Sequence, residues 1–412
     1  MLAVAMRTAQ RMDIHKESTY TKCTTLEAEM RRRLWWALVI FDHRICEMSD
    51  FKTTKLEPTW DCGIPRHVND FEIRPDTKTP LTIHERPTEA LFAVVRSEEA
   101  DYIRNSAYHL NFVNPVLNAV ARPKLTQTRP NSGDSELDGL ERVIEDKYLA
   151  YCDMEDPLHY MTIWIARGTL ARNRLLEHYS KHSTLSVRPT DAQRSTALLH
   201  AISMLECDTK LRTSPLTKKF IWLANFYFPA LAYLHILIVL GKRPAEDHAE
   251  RAWDAMSSNY EALFTSSKQA TGEEHGSADI FFLSYSRAIL QAWQAREVLF
   301  GQEQKQPEPP PRIVSDVRTR RLQLGPTLTS KNSNDGRAAD SAVDIDSTGG
   351  SSQMLSTPMG FGGSGDTGQP QGFAGPSPAG SFPDILGQGI MDVDMGQFWS
   401  GMDWRWMHTQ GW

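Results

Sequence analysis

The sequence predicts an all-α, multi-helical domain followed by a disordered C-terminal tail. Three observations predict it. Apolar residues recur every three or four positions through most of residues 1–300. Capping signals stand at the starts of several of these stretches. After Gly301 the composition changes abruptly to Gly, Ser and Pro. There is no convincing β alternation and no G-x-G-x-x-G or G-x-x-x-x-G-K-[ST] loop.

The first stripe is Leu2, Met6, Ala9 and Met12, and it begins without a Ser, Thr, Asp or Asn cap. The expectation is that sequence once preceded it. The second helix is well announced: Thr24 with Glu27 is a capping box, and Met30, Leu34, Leu38, Phe41, Ile45 and Met48 follow at helical steps. Those six are the expected buried face. Thr54–Pro80 carries Pro58, Pro65, Pro75 and Pro80 and reads as an extended loop.

Further helices are expected at Thr88–Leu117, Glu136–Tyr151, Pro157–Tyr179, Thr190–Arg212, Phe220–Leu240, Glu246–Phe264 and Ala278–Phe300. Asp156 before Pro157 is an N-cap followed by proline at the first helical position, and Thr190 with Gln193 is a second capping box. The domain should therefore span 1–301. A Pro/Gly/Ser-rich linker, too poor in apolar residues to offset its ordering entropy, should span 302–380.

Phe220–Leu240 is 21 residues without a formal charge, long enough to span a bilayer. Asn225, Pro229 and His235 inside it weigh toward a helix buried in a large α-domain. Both readings stand on residues alone.

Charge separates body from tail. From Ala338 to Trp412 eight aspartates face one arginine, a charge of −7, so residues 1–337 stand at +1 within a chain of −6. A near-neutral body gives no electrostatic argument for DNA binding. The last stretch, 381–412, holds Trp399, Trp404, Trp406 and Trp412 among Asp384, Asp392, Asp394 and Asp403. Such a segment reads as an acidic-aromatic activation segment, with Phe398, Trp399, Trp404 and Trp406 as partner-binding candidates. Docking on its own domain is the other reading.

No catalytic residue emerges. Asp42–His43–Arg44 reads as a solvated helix face, and neither Asp156, His159 and Tyr160 nor His200 with Cys207 has triad or ligand spacing. An enzyme is not expected. Cys23, Cys46, Cys62, Cys152 and Cys207 form no C-x-x-C, so the local zinc signature is missing and free thiols in a reducing compartment are expected. No cofactor is expected in this chain.

Arg31–Arg32–Arg33 precedes Leu34–Trp35–Trp36 on the capped helix, where three arginines fan over more than half the circumference. At least one should lie beside buried surface and take a carboxylate from Glu27, Glu29 or Asp42. The run therefore reads as structural rather than as a nucleic-acid contact. Arg318, Arg320 and Arg321, in the expected linker, form a candidate nuclear import signal.

These residues carry a resemblance. Glu29-Met-Arg-Arg-Arg-Leu-Trp-Trp36, with Asp42 six residues on, resembles the E-x-R-R-R-x-W-W…D segment of the fungal-specific transcription factor domain. This domain is the regulatory region of fungal binuclear zinc-cluster transcription factors. Met6–His15 looks like that family's R-x-A-x-x-L-G-L-H helix end, with Met12-Asp13 where Leu-Gly is usual. Trp60–Ile73 is similar to its D-x-x-x-P-x-x-x-x-D-x-x-[LI] loop, carried by Asp61, Pro65, Asn69, Asp70 and Ile73. Tyr148–Arg167 and Phe220–Pro244 resemble its later helices, which implies that the apolar stretch is packed inside a soluble domain.

The resemblance implies a nuclear regulator of RNA polymerase II transcription. The motif residues Glu29, Arg31, Arg32, Arg33, Trp35, Trp36, Asp42, Pro65 and Asp70 would be its structural signature. It implies partners in the transcription machinery or co-activators through the tail, a homo- or heterodimer with related factors, and no membrane. Family members read DNA through an N-terminal cluster of six cysteines and two zinc ions, which nothing here matches. DNA is therefore a partner only if such a cluster lies upstream. The alternative is an interaction or dimerisation protein that modulates full-length relatives without contacting DNA.

Overall fold

A computed structural model describes residues 1–48, 60–74, 84, 86–105, 135–182, 189–271, 277–302 and 309–324. The chain divides into two units. The first holds Met1–Thr319, and of the second, Arg320–Ile385, only Arg320–Leu324 is described. All regular structure among the described residues is helical, as the sequence predicts. The tail and its candidates Phe398, Trp399, Trp404 and Trp406 lie outside the described residues.

The helices are α1 (Leu2–Arg11), α2 (Thr25–Met48), α3 (Leu91–Asn105), α4 (Glu136–Arg142), α5 (Pro157–Lys181), α6 (Asp191–Thr213), α7 (Ile221–Phe226), α8 (Ala230–Lys242), α9 (Ala249–Thr271), α10 (Ser277–Gln302) and α11 (Arg312–Leu324). A π-helical segment, Val143–Leu149, continues α4. The expected caps form: Asp156 Oδ1 accepts from the N–H groups of Leu158 and His159 at 2.8 and 3.0 Å, and Thr190 with Gln193 closes a capping box.

α1 ends in a Schellman motif. Ile14 N donates to Ala9 O and Asp13 N to Gln10 O, both at 3.0 Å, with Asp13 at φ 54°. Ile14 and Ala9 are both buried, which completes the apolar contact of that motif. The left-handed backbone explains why glycine suits this position in the resembled family, and Asp is among the side chains that tolerate it.

Three clusters carry most of the core. The N-terminal one joins α1, α2 and the loop around Trp60. A middle one joins α3, α4, its π-helical continuation and α5, and the largest joins α5, α6, α8, α9, α10 and α11. α5 packs on both α3 and α6.

The structure corrects three expectations. On α2 the buried face is Ala28, Glu29, Arg32, Trp35, Trp36, Val39 and Asp42, while Met30, Leu34 and Phe41, expected inside, are 51%, 48% and 44% exposed. The helix is turned because its charged residues find partners within the domain, as described below.

Second, Phe220–Leu240 is two helices, α7 and α8, and with the 3₁₀ turn before α7 the pair bends by 70°. Pro229 lacks an N–H and disfavours helix at Phe228, so the run breaks at Tyr227–Pro229. No single helix among the described residues is long and apolar enough to cross a membrane. Ala230, Ala232, Tyr233, Ile236, Leu237 and Leu240 of α8 lie in the largest core cluster, matching the buried-helix reading.

Third, the ordered body does not stop at 301. α11 returns to the core within the expected linker, burying Ile313, Val314 and Val317 completely, with Arg312 paired to Glu261 and Arg318 to Glu297 at 3.0 Å. The prolines at 309–311 end a connection and start a helix instead of opening a long coil.

Candidate functional site

Glu29, Arg32, Arg33, Trp35 and Trp36 of α2 form a clamp on the loop that precedes α3. Glu29 is fully buried. Its carboxylate accepts from Arg32 Nη1 and Arg33 Nε, both at 3.3 Å, and from the Arg66 backbone N–H at 3.0 Å. Arg32, 6% exposed, reaches from the same helix to Glu17, donating from Nε at 3.0 and 3.1 Å. Glu17 in turn accepts from Gly63 N at 3.0 Å. Arg33 Nη1 donates to Asp70 Oδ1 at 2.7 Å.

Two arginines and two glutamates thus hold both ends of the loop 60–73 through its backbone and Asp70. Burial works to raise the Glu17 carboxyl, but the Arg32 hydrogen bond and the Gly63 N–H outweigh it and hold the group below the usual carboxylate range. Beside Glu17, the Tyr20 hydroxyl donates to Ile14 O and lies 3.4 Å from Cys62 Sγ. Burial pushes the Cys62 thiol up to about 12, so it stays protonated and is no nucleophile.

The tryptophans pack the same loop. Trp36 Nε1 donates to Gly63 O at 2.8 Å, and Trp35 and Trp36 meet Trp60 edge-on at centroid distances of 5.5 and 6.2 Å. Pro65 is buried. Arg31 stays outside, donating to Glu27 Oε1 at 2.8 Å and to Met12 O at 3.4 Å. Of the carboxylates named as partners from sequence, Glu27 and Glu29 hold arginines of the run. Asp42 does not. It pairs with Arg104 of α3 at 2.5 Å instead.

Asp42–His43–Arg44 is not the solvated face expected. Asp42 and Arg44 are 4% and 7% exposed. Arg44 donates from Nε and Nη2 to Phe226 O at 2.8 and 2.6 Å, capping α7 where the apolar run breaks. Arg212 joins it there, donating to Ala224 O at 3.1 Å and to Asn225 Oδ1 at 2.7 Å. Arg96 of α3 lies over the Tyr227 ring at 4.8 Å and donates to its hydroxyl at 2.9 Å. Arg96 also holds Glu99 at 2.8 Å, where burial pushes the carboxyl up to about 7 against the pull of Arg96.

This is framework chemistry. Its arginines face carboxylates, carbonyls and rings of the domain. Among the described residues no group of three or more His, Cys, Asp or Glu could hold a metal ion. Cys23, Cys62, Cys152 and Cys207 are free thiols. Asp156 is a helix cap, and Cys207 is buried with its thiol raised to about 11. Sequence reasoning missed Glu17, Gly63, Arg104 and the arginines that cap α7.

Comparison with known proteins adds the functional context. The chain is 50% identical over 417 residues to the transcriptional regulator nsrM of Aspergillus novofumigatus, covering 100% of this chain and 54% of that protein. It is 48% identical over 419 residues to the transcriptional regulator AacuB of Aspergillus aculeatus, again 100% and 54%. The aurofusarin cluster transcription factor aurR2 of Gibberella zeae is 26% identical over 301 residues, 72% of this chain and 42% of that protein. The chain spans about half the length of the curated relatives it matches. These relatives are named as regulators of transcription, none as an enzyme. No family profile matches the chain, and no solved structure matches it.

Proposed function

We propose, from its similarity along its whole length to two fungal transcriptional regulators, that this chain is the regulatory part of such a factor and acts in the nucleus on RNA polymerase II transcription. That similarity is the observation that carries the reading. The structure supports it by engaging the arginine run within the domain: Arg32 and Arg33 hold the loop 60–73 and Arg31 pairs with Glu27 of its own helix, so the conspicuous basic motif is framework. What remains to act outward is surface and the acidic-aromatic tail.

In this reading the tail recruits the transcription machinery or co-activators through Phe398, Trp399, Trp404 and Trp406. DNA contact, and the zinc that serves it in the resembled family, belong to a module outside the described residues. Arg318, Arg320 and Arg321 serve nuclear import from the end of α11, not from a linker.

The test tethers the full chain to a reporter promoter through an unrelated DNA-binding domain. Activation is expected, and its loss when Trp399, Trp404 and Trp406 are all replaced by alanine. A reporter that never responds, or that responds equally in the triple variant, contradicts the reading.

A further inference from the structure

α2 is a helix with two working faces. Glu29, Arg32, Trp35, Trp36 and Asp42 point inward, and its outward face carries Met30, Leu34, Ala37 and Phe41, all exposed, with Phe41 stacked on Phe226 of α7 at 5.1 Å. Their steps of four, three and four are those of an apolar seam that a second helix covers. A contiguous exposed apolar stripe of this kind marks an interaction site. Arg31, paired with Glu27, bridges from α2 to the end of α1, which packs on α2, and Arg7 and Arg11 on α1 have no carboxylate partner among the described residues.

The same chain carries a matching segment. Met391, Met395, Phe398 and Met402 repeat the steps of four, three and four, with Asp392, Asp394 and Asp403 beside them. We infer that residues 391–406 dock as a helix along the exposed seam of α2, with their aspartates against Arg7 and Arg11. Apolar side chains fill the seam, and charge complementarity fixes the approach.

Reach is no obstacle. Residues 325–380 span up to about 190 Å when fully extended, which gives the tail access to every face of the domain. Tethering raises the local concentration of the tail over that of any free competitor at low protein concentration. One consequence rests on the proposed function: a docked tail is withheld from the transcription machinery, and whatever uncovers α2 releases it.

The test places a photo-cross-linking amino acid at Leu34 of the full chain, an exposed position where substitution leaves the fold intact. Cross-links within one chain to residues 391–406 are expected, unchanged on dilution. They should be lost when Met395, Phe398 and Met402 are replaced by serine, and absent from a probe at exposed Val298 of α10. Cross-links between two copies, or to the body alone, overturn the inference, as does an equal yield in the serine variant. The readout uses no reporter. A tail that cross-links but does not activate therefore contradicts only the proposed function, and one that activates without cross-linking contradicts only the docking.

Discussion

Arg104 donates from Nη2 to Asp42 Oδ2 at 2.5 Å, with the two residues 2% and 4% exposed, and so ties α3 to α2 through a buried ion pair. Such a pair contributes little net stability over an apolar replacement, but removing one partner of a buried pair is costly. Asp42→Ala should lower the unfolding free energy by about 3–5 kcal/mol. Urea denaturation of the variant checks this, and a loss within ordinary surface noise would remove the pair from the account.

The end of α1 gives a backbone prediction. Asp13 sits at φ 54°, where a β-branched side chain is strained. Asp13→Val should cost about 1–2 kcal/mol, and Asp13→Gly should not destabilise. Equal melting temperatures for the two variants would mean that the turn is not held left-handed.

A histidine cluster sets a pH dependence. His235 on α8 lies 2.6 Å from the Tyr179 hydroxyl through Nδ1, and its Nε2 is buried with no partner. His178 faces it at a ring distance of 6.4 Å, His200 adds like charge, and no carboxylate among the described residues offsets them. Burial lowers His235 to about 3, and burial with the charges of His182, His200, Lys181 and Arg194 lowers His178 to about 4. Both folded values lie below the ordinary 6.5, so the unfolded chain binds the extra protons. The stability from neutral histidines is complete above 6.5 and is lost as pH falls toward 4, at about 1.4 kcal/mol per pH unit for each group. Urea midpoints from pH 7 to 5 should fall, and less steeply in His235→Asn, whose amide oxygen still accepts from Tyr179. Identical slopes would contradict the assignment.

The caps on α7 give another prediction. Arg44 reaches Phe226 O from a residue 182 positions earlier, and it keeps the end of a short apolar helix satisfied inside the domain. Arg44→Met removes both donors at similar length and should cost about 1–3 kcal/mol. The signature loop should keep its protection in hydrogen exchange while amides around 221–227 lose theirs. Uniform loss across the domain would show that the two regions open as one.

The helices and two of their caps were legible because period and capping chemistry are local: Asp156 and Thr190 sit where their helices start. Partners were not. Glu17 lies 15 residues from Arg32 and Arg104 lies 62 from Asp42, distances at which spacing carries no signal. The face of α2 was misread because periodicity counts apolar residues, while here the inward side holds Glu29, Arg32 and Asp42 satisfied by one another's neighbours. α11 was hidden by the prolines before it, although Ile313, Val314 and Val317 carry a helical step that composition alone passes over.

Arg32 and Arg33 hold the loop 60–73 to α2, and the unfolding free energy of Arg32→Ala in the full chain reads that hold. The variant takes one of its two arginines from buried Glu29 and unties Glu17 from α2, so a fall of about 1–3 kcal/mol is expected, insensitive to added salt. A change below about 0.5 kcal/mol, the range of an ordinary surface substitution, would contradict the clamp.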